Sequence, residues 1–165
     1  MIFNSPIRRR RDGRFAIRLD PAVRAVLQSA SEQMVPLLVH DGDDTRRLFP
    51  PAYVGPDQEA HEQEYRKLVD TALVNHRRDA LNVLSATAMA DTLNEEELNG
   101  WLSAIALIRL VLGTRLDVSE EGFASDEDDA SAPEHALYLL LGVLQEAIVS
   151  VLAAGLPDEG TPERY

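Results

Sequence analysis

Arginine is the residue type that equips this chain for chemistry. Arg8, Arg9, Arg10 and Arg11 stand in an unbroken run, and Arg14 and Arg18 follow close behind. A guanidinium is a planar fork of donors that matches the paired oxygens of carboxylates and phosphates. The run reads as a solvated edge strand, as a contact for an acidic protein, or as a contact for nucleic acid. Direct nucleic-acid binding is the weakest of the three. Such surfaces add aromatic platforms or base-reading helices, and only Phe15 lies nearby.

Two further arginines fall where helical spacing places apolar residues. Leu98, Leu102, Ile105, Arg109 and Leu112 recur at the steps that share one helix face, and so do Leu73, Arg77, Ala80, Leu81, Leu84 and Ala88. A charge on such a face must be paired, or must reach out of the core along its own stem. By pattern, Glu64 and Glu146 are the nearest partners for a structural ion pair. Breaking a buried pair of that kind would cost on the order of 3–5 kcal/mol. The alternative is a pocket in which Arg77, Arg109 and Arg115 take an anionic ligand, as a binder or an enzyme.

Other chemistry is sparse. His61-Glu62-Gln63-Glu64-Tyr65 misses the HExxH zinc motif, because Tyr65 replaces the second imidazole one turn on. The remaining histidines are scattered. The acidic run from Asp117 to Asp129 lacks an EF-hand glutamate at its twelfth position and reads as a solvated loop. With no cysteine there is no disulfide, thiolate metal site or thiol nucleophile. The expectation is therefore no metal, no cofactor and no catalytic residue.

The elements that must position these arginines follow from local signals. Residues 7–19 read as a β-hairpin turning at Asp12-Gly13, with Phe15, Ile17 and Leu19 alternating against Arg14, Ala16 and Arg18. Asp20 and Pro21 open a helix whose apolar face is Val23, Val26, Leu27, Ala30, Met34, Leu37 and Leu38. The segment RLFPPAY, 47–53, presents Phe49 and Tyr53 either as a docking surface or as a plug for one end of a bundle. A helical pattern over 57–90 has a break expected near Asp70. Asn94 and Glu97 form a capping box for the next helix, which Gly113 is expected to stop. A last apolar helix covers about 134–154. Together these predict a mainly α fold, a bundle of four or five helices with a small N-terminal β-hairpin.

A length of 165 residues suits one domain over 1–155, with an acidic flexible loop at 117–132 and a disordered tail at 156–165. The net charge of −12 opposes general nucleic-acid binding. The N-terminus has no signal-peptide core, and the cysteine-free composition fits the cytoplasm. Residues 136–155 have the length of a bilayer span, but Gln145 and Glu146 interrupt them, so a buried helix is expected and no membrane. A homodimer is reasonable if the hairpin edge or an apolar helix face is uncovered.

Four segments in order, RRRRDGRFAIRLDP, RLFPPAY, EYRKL and WLSAIALIRLVLGTRLDV, carry a resemblance that runs from about Phe3 to Leu152. The chain resembles an actinobacterial domain-of-unknown-function family that includes the oxidative-stress regulator AosR. The resemblance implies a cytoplasmic, non-enzymatic regulator of transcription that contacts an RNA polymerase sigma factor in oxidative-stress or cysteine-biosynthesis control. In the characterised branch a cysteine pair senses oxidation, and this chain has no cysteine to do so. Proximity of the family's genes to one for a proteolysis adaptor makes a proteolysis-linked adaptor a third reading. On these grounds Arg8, Arg9, Arg10, Arg11, Arg14, Phe49 and Tyr53 are the expected partner-binding residues.

Overall fold

Local turn chemistry starts the fold. The computed structural model describes residues 4–38, 59–116 and 132–155, with the backbone alone for 59–63 and 65–71. Strands β1 (Ile7–Arg9) and β2 (Phe15–Ile17) pair antiparallel, with Ile7 opposite Ile17 and Arg9 opposite Phe15. Gly13 takes a φ of 83°, a conformation that side chains resist. Its N–H donates to the Arg10 carbonyl, and the Asp12 carboxylate accepts from the Arg14 N–H. The expected Asp-Gly hairpin is present. A third strand, β3 (Thr92–Leu93), extends the sheet beside β2 in the order β1-β2-β3.

Four helices complete the architecture. In α1 (Pro21–Leu37) the buried residues are Arg24, Leu27, Ser31 and Met34, a stripe rotated from the apolar face expected above, and Val26 stays exposed. Asp20 holds the cap position without a side-chain capping bond. Helix α2 (Glu59–Thr87) is continuous, so the expected break near Asp70 does not occur. No glycine or proline lies within it, and a lone aspartate costs a helix only tenths of a kcal/mol. Helix α3 (Glu95–Arg115) begins at the expected capping box. Asn94 Oδ1 accepts from the Glu97 N–H at 2.7 Å, and Glu97 Oε2 accepts from the Asn94 N–H at 2.8 Å. Gly113 does not stop this helix; it is buried within the last turn, and α3 continues to Arg115.

Helix α3 is the central element, in contact with α1, α2, β3 and α4 (Ala132–Ala153). Trp101 is fully buried, and its Nε1–H donates to Thr87 Oγ1 at 2.8 Å. Ile7, Phe15 and Ile17 of the sheet join the same core as Leu81, Leu84, Leu98, Ile105 and Ile108. Helix α4 is long and apolar enough to cross a membrane by length and composition. It packs Leu141, Leu144 and Ile148 inward but leaves Leu139, Val143 and Val149 at 57%, 59% and 48% exposure. The buried helix expected here is covered along one side only.

Sheet and helices are joined by Arg24, which is 8% exposed. Its Nε donates to the Leu19 carbonyl at 3.1 Å and its Nη2 to the Ile17 carbonyl at 3.0 Å. Its Nη1 reaches the carbonyls of Ala90 at 2.6 Å and Ala88 at 3.4 Å, just past the end of α2. A cation there also complements the negative end of the α2 dipole. Asp91 lies 3.9 Å away but is almost wholly solvated, so the carbonyls do most of the stabilising. Replacing Arg24 with methionine should lower unfolding free energy by about 3 kcal/mol or more, since buried carbonyls lose charge-assisted donors. Urea denaturation measures this, and a loss below about 1 kcal/mol would show that the clasp is dispensable.

Candidate functional site

The pleat of the sheet sorts the hairpin arginines. Ile7, Phe15 and Ile17 point into the core, which leaves Arg8 and Ala16 outward and opposite each other. Thr92 of β3 lies opposite Ala16, so the outward row runs Arg8, Ala16, Thr92. Arg10 and Arg14 face each other beside it, and the Arg10 N–H bonds the Arg14 carbonyl. Like charges set opposite each other destabilise a strand pair, and both are compensated here. Arg10 pairs with Asp12 at 3.1 Å, while Arg14 donates from Nε to Thr92 Oγ1 at 3.0 Å and from Nη2 to the Thr92 carbonyl at 3.2 Å. Arg14 thus holds β3 to β2.

Arg9 packs against its own chain, with no side-chain hydrogen bond or ion pair among the described residues. Its guanidinium carbon lies 5.8 Å from the Phe15 ring centroid, and a Cβ at Gly155 would collide with its Nη1. The bare glycine lets Arg9 rest at the C-terminal end of α4, where a cation is favourable. Among the described residues, no hydrogen bond or ion pair engages the side chains of Arg8, Arg11 or Arg18. An open cleft of about 560 Å³ lies over this face, lined by residues 8–12, Ala16 and Arg18. The edge of β1 is blunted, because Ser5 Oγ donates to the Ile7 carbonyl at 2.8 Å and accepts from the Ile7 N–H at 3.4 Å. On the β1 side, what the sheet offers is a cationic face and not an edge for strand addition.

The helical arginines stand in different surroundings. Arg109 Nη1 donates to Gln145 Oε1 at 2.9 Å, and its guanidinium lies 4.5 Å from the Tyr138 ring centroid. Gly142 supplies the flat wall against which it packs. Its Nε is buried without a hydrogen bond. The glutamate partner expected for Arg109 is therefore replaced by an amide and an aromatic ring. Helix α4 turns Gln145 toward α3, and one residue on Glu146 lies on the exposed side, as Glu64 does in α2. Arg77 is half-buried, and burial lowers its pKa; it stays charged at neutral pH. Arg115 stands exposed in the last turn of α3. Phe49, Tyr53, the acidic loop and the tail lie outside the described residues.

Sequence reasoning missed two features. Arg24 holds a core position at the same spacing as Leu27, Ser31 and Met34, a signal hidden by following apolar residues alone. The bare outer face of α4 was announced by a helix apolar on every side, which has more such surface than one neighbour covers.

Residues 4–152 match the family described as domain of unknown function DUF2017. The chain belongs to the DUF2017 family. No curated protein and no solved structure matches it. The match takes in all three strands and the first three helices, and it ends in the last turn of α4, so in DUF2017 terms the arginine face is part of the domain. Among the described residues, no three histidines, aspartates or glutamates gather to hold a metal.

The arrangement around Arg109 has a measurable consequence. Exchange for methionine removes one hydrogen bond and a cation–π contact but also relieves an unsatisfied buried donor, so the net cost should be about 1 kcal/mol or less. Chemical denaturation resolves that value from the roughly 3–5 kcal/mol of a broken buried ion pair, which would restore the ion-pair reading.

Proposed function

We propose that this DUF2017 protein is a non-enzymatic cytoplasmic regulator that docks an acidic protein partner on the outward face of its N-terminal sheet. One observation carries the reading. In a chain of net charge −12, Arg8, Arg11 and Arg18 are held outward on one small face, and the single acidic side chain among them is already paired with Arg10. Fork-shaped donors without internal partners favour carboxylates brought by another molecule. Apolar contact area lies close by. Val149 is exposed six residues before Gly155, the residue against which Arg9 rests, a distance of about 9 Å along the helix. Apolar surface supplies affinity in such interfaces, and charge supplies steering and register.

The resemblance to the family that includes AosR makes an RNA polymerase sigma factor the first partner to test, in oxidative-stress or cysteine-biosynthesis control. Without cysteine, regulation here does not pass through thiol oxidation. The alternative of an anion pocket built from Arg77, Arg109 and Arg115 is less favoured, because Arg109 is already stacked and hydrogen-bonded and Arg115 stands at an exposed helix end. No observation favours the proteolysis-linked adaptor over these.

The test uses charge reversal at Arg8 and Arg11, which are exposed and hold no other element in place; Arg9 and Arg14 are unsuitable because they anchor α4 and β3. Binding of the double variant to each sigma factor of the host should weaken by roughly tenfold or more, with a shallower salt dependence and an unchanged melting temperature. Undiminished binding would remove the arginine face from the interface. Absence of binding by the unmodified protein to every sigma factor would remove that class of partner.

A further inference from the structure

The cleft over the sheet is lined in a way that a docking protein alone does not explain. Arg8, Arg9, Arg10, Arg11 and Arg18 line it, and the methyl group of Ala16 faces it opposite Arg8. Asp12, the single acceptor side chain, is taken up by Arg10 at 3.1 Å. The lining offers guanidinium groups, with arginine stems and that methyl as its apolar part, and no aromatic or branched aliphatic side chain. The aromatic and aliphatic anchors that carry most protein interfaces have no pocket to enter here.

Spacing narrows the ligand further. Arg8 and Arg10 project from the same side of the first arm, two residues or about 6.6 Å apart, while Arg18 stands on the neighbouring arm opposite Pro6, one such step past Ala16 on the side away from Arg10. Several guanidinium forks can therefore reach into one small volume from two sides. A single carboxylate engages one such fork. An anion with several charged tetrahedral centres in a row engages them all.

We infer that this cleft is a binding site for a compact oligophosphate, a chain of two or three phosphoryl groups either free or carried on a small molecule. The frame is built in advance. Arg14 ties β3 to β2 through Thr92, Gly13 sets the turn, and Arg9 is fixed against Gly155, so Arg8, Arg11 and Arg18 are left to close on the ligand. Ala16 is what keeps the cleft open, because a larger outward side chain at that register would fill it. Binding here would block the face proposed above for an acidic partner. That regulatory consequence rests on the earlier reading; the site itself does not.

Calorimetry with sodium tripolyphosphate on the full chain tests the site at near-physiological ionic strength. The expected result is saturable binding at one anion per chain. The pair Arg8→Ala and Arg18→Ala should weaken it by roughly tenfold or more, as loss of charge-assisted contacts requires. Ala16→Leu should weaken it as much while leaving the charge unchanged, and Arg115→Ala, remote from the sheet, should leave it unaltered. Heat that never saturates, equal binding of citrate, or equal losses in the Arg115 and Arg8/Arg18 variants would overturn the proposal. Tripolyphosphate that binds without displacing an acidic partner upholds the site and refutes a shared face. Failure of tripolyphosphate to bind, with partner binding still dependent on Arg8 and Arg11, refutes the site alone.

Discussion

The whole arrangement depends on one guanidinium, that of Arg24. Three parts of the chain converge on it: the end of β2 at Ile17, the link at Leu19, and the turn after α2 at Ala88 and Ala90. Each carbonyl would otherwise be an acceptor with no regular ladder or helix to satisfy it, which in a buried place is costly. A single fork of donors meets them all and fixes how the sheet sits on α1 and α2. The three-residue strands could not hold that position themselves, since a short isolated hairpin is marginal in water.

The other arginines divide between frame and surface. Lys67 is the single lysine among 16 basic residues, so nearly every cation is a planar, permanently charged fork. Arg14 spends its fork on β3, Arg9 on the end of α4, and Arg109 on Tyr138 and Gln145. Of the hairpin arginines, Arg10 pairs with Asp12, and Arg8, Arg11 and Arg18 are what remains. The contrast gives the free ones their meaning. A cationic sheet face costs self-repulsion, and where the fold needed an arginine for its own stability it supplied a carbonyl, a ring or an amide. Beside these three it supplied none among the described residues.

Features governed by neighbouring residues were legible in the sequence: the Asp12-Gly13 hairpin, the Asn94–Glu97 capping box, the α3 stripe and the mainly helical class. Those governed by tertiary contact were not. β3 is two residues long, too short for any period to show, and exists because β2 offers it a ladder. Gly113 looked like a helix stop because glycine often ends helices, yet α3 runs on to Arg115 with Gly113 buried. Arg24 carries no signal of its own, because hydropathy does not register that a guanidinium can be satisfied by carbonyls. The same blindness misassigned Arg109. Apolar spacing correctly placed it toward the interior, but a one-residue difference in phase put Gln145, not Glu146, opposite it. At the candidate site the composition was visible from the start, while the separation of Arg9 and Arg14 from Arg8, Arg11 and Arg18 required the register and the end of α4.

A cationic face on an acidic chain also constrains how recognition proceeds. At long range an anionic partner meets the field of the net charge of −12 and is repelled. At physiological ionic strength that field is screened beyond about 8 Å, so attraction by the sheet prevails only once the two surfaces nearly touch. On the proposed reading the acidic remainder works against large polyanions, while a ligand small enough to enter the cleft, or shaped to reach it, can come close to the arginines. Selectivity would then arise from the combination. The arginines alone would bind many anions, and the acidic remainder would select against those too large to approach them closely.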